Sequence, residues 1–310
     1  GDDNEDDVIN TLLGINLSAS YPCLNFKIYN CKVKSNTVAF AIKDKFLSTN
    51  IFFEEGECLF STNSKDRRLV EEFYSNIKYT LKNKGNLLFY RKEASSMIED
   101  QTYIQYIMNN DLRCLLGSIN EFFMPPDLFM EIAERLFGHN QKIINELKKI
   151  NLFLHNVTYK SKLKVLIHES ELRKYMSSGK LHFFNTPVTL TFKERERHIE
   201  YMEKILNESN DVEIRLVDGD LVDDFKNKEN PSLYLSRNLK FTKVYPESGK
   251  NYYFIISDNE FKGMCTDLFD KLWNARTDII ISNKDEILDR IAKSISYTRL
   301  ISESFGENIE

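Results

Sequence analysis

The chain has little that is chemically reactive. It contains no Cys-x-x-Cys pair, no glycine-rich phosphate loop and no nucleophile with a base at a recognised spacing. The five cysteines, Cys23, Cys31, Cys58, Cys114 and Cys265, are odd in number, which reads as reduced thiols rather than a disulfide or zinc framework. Proline (6) and glycine (11) are scarce, against the composition of a low-complexity or disordered chain. No apolar run reaches the roughly 18 residues that span a bilayer. A net charge of −5 supplies no general attraction to nucleic acid or to anionic lipid. The expectation is a cytoplasmic protein with no cofactor, no metal, no membrane and no DNA binding by these residues themselves.

What is present describes folded architecture. Hydrophobic residues make up 42% and charged residues 29%, and 22 Phe with 15 Tyr supply large side chains for a core. A length of 310 residues suggests two regions, and the rhythm of the chain puts a boundary near Gly117-Ser118. Residues 1–118 are then a smaller α+β region, and 119–310 a helix-rich entry followed by an α/β domain. In the first region, 25–33, 38–42 and 51–53 read as strands, and 66–84 as a helix stopped by Gly85. The spacing over Gln101–Leu116 predicts a helix interrupted near Asn109-Asn-Asp111.

The second region is predicted to hold one mixed sheet, with strands Lys162–His168, Val212–Val217, Ser232–Ser236, Leu239–Val244 and Tyr252–Ile256. Helices Phe192–Glu208, opened by the capping box Thr191-x-x-Glu194, and Glu260–Asn274 are expected to cover it. Trp273 should be buried beside Phe269. The last helix, 283–304, carries Ile287, Ile291, Ile295 and Ile301, a stripe that suits either a dimer face or packing on the sheet.

Four clusters have chemical potential. His168 ends a strand ahead of Glu169 and Glu171, where open α/β sheets present ligand-binding residues, so His168 and Glu171 are candidate site residues. Asp218, Asp220, Asp223 and Asp224 follow a strand and have the oxygen density of a Mg²⁺ or Ca²⁺ site, without the complete twelve-residue calcium loop. Lys78, Lys82, Lys84, Arg91 and Lys92, with Tyr79 and Tyr90, have the residue types of a phosphate edge. Phe122, Phe123, Met124 and Phe129, with Met130 and Phe137, are candidates for lining an apolar ligand or peptide pocket.

The runs Phe122-Phe-Met-Pro-Pro-Asp-Leu-Phe129, Leu166-Ile-His-Glu-Ser-Glu-Leu172, Thr191-Phe-Lys-Glu-Arg195, Ser232-Leu-Tyr-Leu235 and Phe269-Asp-Lys-Leu-Trp273 are similar to the effector region of Gram-positive helix-turn-helix transcriptional regulators. The resemblance implies a phospholipase D-like fold that has lost its catalytic motif, a small-molecule, peptide or protein effector, and a homodimer. It also implies a DNA-binding domain ahead of Gly1, which is not a methionine. Phospholipase D chemistry needs His-x-Lys-x-x-x-x-Asp, whereas His139 is followed by Lys142, one position late. The alternative is a hydrolase or metal-dependent enzyme using His168, Glu171 and Asp218, Asp220 and Asp224.

Overall fold

The computed structural model describes residues 8, 10–12, 14–15, 27–31, 36–53, 57–219, 230, 232–243, 252–275 and 277–304, the last four for backbone only. Two compact units emerge: 27–89, and 1–26 together with 90–310.

In the smaller unit, β1 (Tyr29–Asn30), β2 (Thr37–Ile42), β3 (Phe46–Phe52) and β4 (Cys58–Ser64) precede α1 (Arg67–Lys84) and β5 (Asn86–Leu87). Strands β2, β3 and β4 form an antiparallel meander with β3 in the middle, and β1 pairs with β5. The Asp66 carboxylate caps α1 by accepting the Leu69 N–H at 3.0 Å, and the Gly85 N–H closes the helix on the Leu81 carbonyl. The helix packs on β2 and β3, yet Val70 is its one fully buried residue among those described.

The larger unit continues through β6 (Phe89–Glu93), α2 (Ala94–Glu99), α3 (Thr102–Ile107), β7 (Asp111–Leu116), α4 (Pro126–Phe137) and α5 (Gln141–Asn156). There follow β8 (Lys162–His168), α6 (Glu169–Ser178), β9 (Lys180–Phe183), β10 (Thr186–Thr189), α7 (Phe192–Glu208) and β11 (Val212–Val217). It closes with β12 (Ser232–Leu235), β13 (Lys240–Lys243), β14 (Tyr252–Ile256), α8 (Asn259–Ala275), β15 (Ile280–Ile281) and α9 (Lys284–Ser304). The class is mixed α+β, with an eight-stranded sheet in the order β15-β11-β8-β7-β12-β13-β14-β6. Strands β7, β8 and β11 are parallel; β12, β13 and β14 alternate antiparallel beyond β7.

All five strands expected in the second region lie in this sheet, with Val244 outside the described residues. One helix expectation fails. Only Thr102–Ile107 of Gln101–Leu116 is helical, and Asp111–Leu116 is β7, paired on both sides in the middle of the sheet. The expected boundary after residue 118 would therefore separate a central strand from its neighbours; the structure instead sets apart 27–89.

Strand alternation gives the sheet two buried faces. Leu112, Cys114, Leu163, Val165, Ile167, Val212, Ile214, Leu216, Tyr234 and Phe241 join the main core with residues of α2 to α7 and α9. Ile287 and Ile291 of α9 are each 1% exposed in that core with Ile295 packed partly buried against it, so this part of the isoleucine stripe packs inward; the Ile301 side chain lies outside the described residues. The other face lies under α8, where Trp273 is 3% exposed and stacks on Phe269 at 5.8 Å between ring centroids. Its neighbours there include cations as well as apolar groups. The Arg215 guanidinium lies 3.9 Å and the Lys164 ammonium 5.2 Å from the indole centroid, while Arg113 pairs with Asp270 at 2.6 Å.

Candidate functional site

The carboxyl ends of β7, β8 and β11 lie on one edge of the sheet. Strand β13, antiparallel to β12 as β7 is, ends there too. In open sheets this edge holds ligands and chemistry. Two groups of ionisable side chains occupy it.

The inner group is built on Glu121, five residues past the end of β7, and Lys243, the last residue of β13. Their side chains are 0% exposed and meet at 2.7 Å. Two buried charges are tolerable only when paired and hydrogen-bonded, and this pair meets both conditions. Tyr103 O–H donates to Glu121 Oε1 at 2.7 Å, and the Phe184 backbone N–H donates to Oε2 at 3.2 Å. The Lys243 ammonium lies 4.7 Å from the Tyr234 ring centroid and 5.4 Å from that of Tyr253, at cation–π range. Burial pushes the Lys243 amine down, with the Glu121 carboxylate opposing it. Burial raises the Tyr103 hydroxyl well above its ordinary range, and the charge of Glu121 adds to this.

Phe184 and Asn185 connect β9 to β10 with φ of 46° and 61°, a left-handed pair at which glycine or asparagine is usual. A buried phenylalanine in that conformation is strained. The strain delivers its N–H to Glu121, while Asn185 Nδ2 donates to the Tyr252 carbonyl at 2.8 Å. Around the same core, Asn120 Nδ2 donates to Tyr234 Oη at 2.5 Å, and the Tyr106 hydroxyl lies 3.0 Å from Cys114 Sγ. Burial pushes the Cys114 thiol up to about 12, so it is not a nucleophile near neutral pH.

The outer group surrounds His168, Glu169, Glu171 and Asp218. Arg290 of α9 reaches Glu169 at 2.5 Å and Asp218 at 3.1 Å, tying the ends of β8 and β11 to the last helix. Asp218 is therefore committed to an ion pair. Asp220, Asp223 and Asp224 lie outside the described residues, and no cluster of metal-ligating side chains occurs among those described. His168 is 1% exposed, its Nε2 has no hydrogen-bond partner, and burial lowers it to about 4. Glu171 is buried differently: its carboxyl is raised by burial, with Lys174 at 3.5 Å and Asn230 opposing the shift. The two candidates sit on consecutive elements, and burial moves both toward the neutral form, with Lys174 and Asn230 opposing it only at Glu171.

The aromatic candidates belong to the core. Phe122, Phe123, Met124 and Phe129 are 0–2% exposed, and the turn that carries the first three is anchored on three sides. Asn120 Oδ1 accepts the Phe122 N–H, the Tyr159 hydroxyl accepts the Phe123 N–H at 2.7 Å, and His198 Nε2 lies 2.7 Å from the Phe122 carbonyl. A carbonyl only accepts, so His198 carries its proton on Nε2, and Nδ1 accepts from the Tyr175 hydroxyl at 2.8 Å. These rings pack the core and hold the turn leading from β7. Tyr79 and Tyr90 of the basic cluster are exposed, and Arg91 lies over the rings of Tyr252 and Phe254.

Sequence reasoning missed Glu121 and Lys243. They stand 122 residues apart, and neither belongs to a motif. The available signal was slight: Lys243 closes a short strand, Lys240-Phe-Thr-Lys243, that lies between the apolar runs of β12 and β14. No protein-family model matches the chain, and no curated protein matches it.

Proposed function

We propose that this chain is the sensing region of a cytoplasmic bacterial transcription regulator and works by binding an effector, without catalysis. The observation that carries the reading is a groove of about 570 Å³ between α6 and α9 that meets the strand edge at Glu169 and Arg290. Its volume falls within the range of small-molecule sites. Arg173, Lys174, Arg290 and Lys293 bring cationic groups to it, and Met176 and Tyr297 bring apolar surface. That combination suits a small anionic molecule with an apolar body. The loose pairings of Arg173 with Glu169 at 3.6 Å and of Lys174 with Glu171 at 3.5 Å exchange readily for such a ligand. Arg290 then links occupancy to Asp218 and the end of β11.

The charges at the strand edge favour sensing over hydrolysis, because they neutralise one another. Lys243 is held by the Glu121 carboxylate at 2.7 Å. A lysine kept beside Glu121 cannot also hold a phosphate.

Thermal unfolding with octanoate and with hexyl phosphate tests the reading. A saturable rise in Tm with at least one of them, abolished in Arg173→Glu/Lys293→Glu, is expected. No shift with either probe, together with turnover of bis(4-nitrophenyl) phosphate that disappears in His168→Gln, would favour the enzyme instead.

A further inference from the structure

Among the described residues, the groove between α6 and α9 is lined by four cations and a single carboxylate, that of Glu169. The Glu169 side chain is 10% exposed, whereas those of Arg173, Lys174 and Lys293 are 62%, 60% and 75% exposed. Glu169 Oε2 meets Arg290 Nη1 at 2.5 Å, and its Oε1 lies 3.6 Å from Arg173 Nη2. One sheltered carboxylate thus stands between two guanidiniums, the groups best suited to hold a carboxylate or a phosphate. Glu171 and Asp289, which pair with Lys174 and Lys293, do not line the groove.

We infer, on the reading that this groove takes an anionic effector, that Glu169 is an internal competitor for it. The Glu169 carboxylate holds the site between Arg290 and Arg173, and the effector's carboxylate or phosphate binds by displacing it. Two ordinary roles do not account for the placement. A carboxylate in the first turn of α6 favours the helix dipole, but Glu171 supplies that charge in the same turn without entering the groove. Nor does Arg290 need Glu169 as a counter-ion, because Asp218 lies at 3.1 Å and Glu286 at 3.0 Å. Displacement therefore leaves Arg290 paired. The contact acts as autoinhibition: it lowers the affinity for every anion, and one that pairs with both guanidiniums more strongly than Glu169 does enters the site.

Isothermal titration calorimetry of octanoate and of hexyl phosphate with the full 310-residue chain tests the inference. Glu169→Gln and Glu169→Ala both remove the competing charge, and alanine brings no amide that could itself hold an anion. Each is expected to bind about two- to fivefold more tightly than wild type, the scale of one solvent-screened ion pair. Circular dichroism should be unchanged, because Arg290 keeps Asp218 and Glu286. Glu213→Gln removes the same charge near the opposite end of β11 and is expected to leave the affinity unchanged, which separates local competition from net charge. Binding detected only in the two Glu169 variants also agrees with competition. Affinity that does not rise in both of them, or that rises as much in Glu213→Gln, overturns the inference, and wild-type binding would still uphold the effector reading. If no chain binds either probe, both fall.

Discussion

His168 and His198 are both 1% exposed, and burial lowers both to about 4. Both are neutral in the folded protein near pH 7, and in the unfolded chain they protonate near 6.5. The unfolded state therefore binds more protons between those values, and stability falls as the pH drops from about 6.5 toward 4. Above about 6.5 neither state is protonated and the term vanishes. Each histidine contributes up to about 1.4 kcal/mol of lost stability per pH unit inside that window. Urea midpoints at several pH values from neutral to mildly acidic should fall accordingly, and His168→Gln should reduce the slope. A slope unchanged in that variant would mean that His168 is solvated.

At the scale of elements, α8 illustrates how the unit closes. Trp273 is clasped between Phe269, Lys164 and Arg215, and the Arg215 Nη1 donates to the Trp273 carbonyl at 2.6 Å. Truncation leaves a cavity and removes two cation–π contacts, so Trp273→Ala should cost about 3–5 kcal/mol. Urea unfolding measures it, and a variant as stable as wild type would mean that α8 does not pack in this way. Helix α8 was legible from its apolar period, and so were α7 from the Thr191–Glu194 capping box and β8 and β11 from their branched apolar runs. Strand β7 was not, because Leu112, Leu115 and Leu116 also stand at helical spacing; the parallel pairing with β8 decides the matter and is invisible locally. Strand β4, Cys-Leu-Phe-Ser-Thr-Asn-Ser, is exposed along most of its length and has no apolar alternation to reveal it. The β9–β10 hairpin escaped because Phe184-Asn185 replaces the glycine that marks such turns. Of the candidate site, His168, Glu171 and Asp218 were legible as residues at strand ends, but their partners Arg290 and Asn230 come from distant segments.

Across the whole molecule, the edge of the sheet is held by contacts between segments far apart in the chain. Arg290 joins α9 to the start of α6 and to Asp218 just past β11, His198 joins α7 to the turn after β7, and Lys243 joins β13 to Glu121. The account rests on that last pair being structural: a buried ionic tie at a place where an enzyme would keep a group free to react. Breaking one side of such a pair leaves an unpaired buried charge and costs about 3–5 kcal/mol, whereas replacing both sides with apolar groups of similar volume is nearly neutral or stabilising. The most direct test is urea unfolding of Glu121→Leu, Lys243→Met and the double variant. The account predicts that each single change is strongly destabilising and that the double variant returns close to wild type. Single variants with wild-type stability would contradict it, because Glu121 and Lys243 would then be free to serve a reaction.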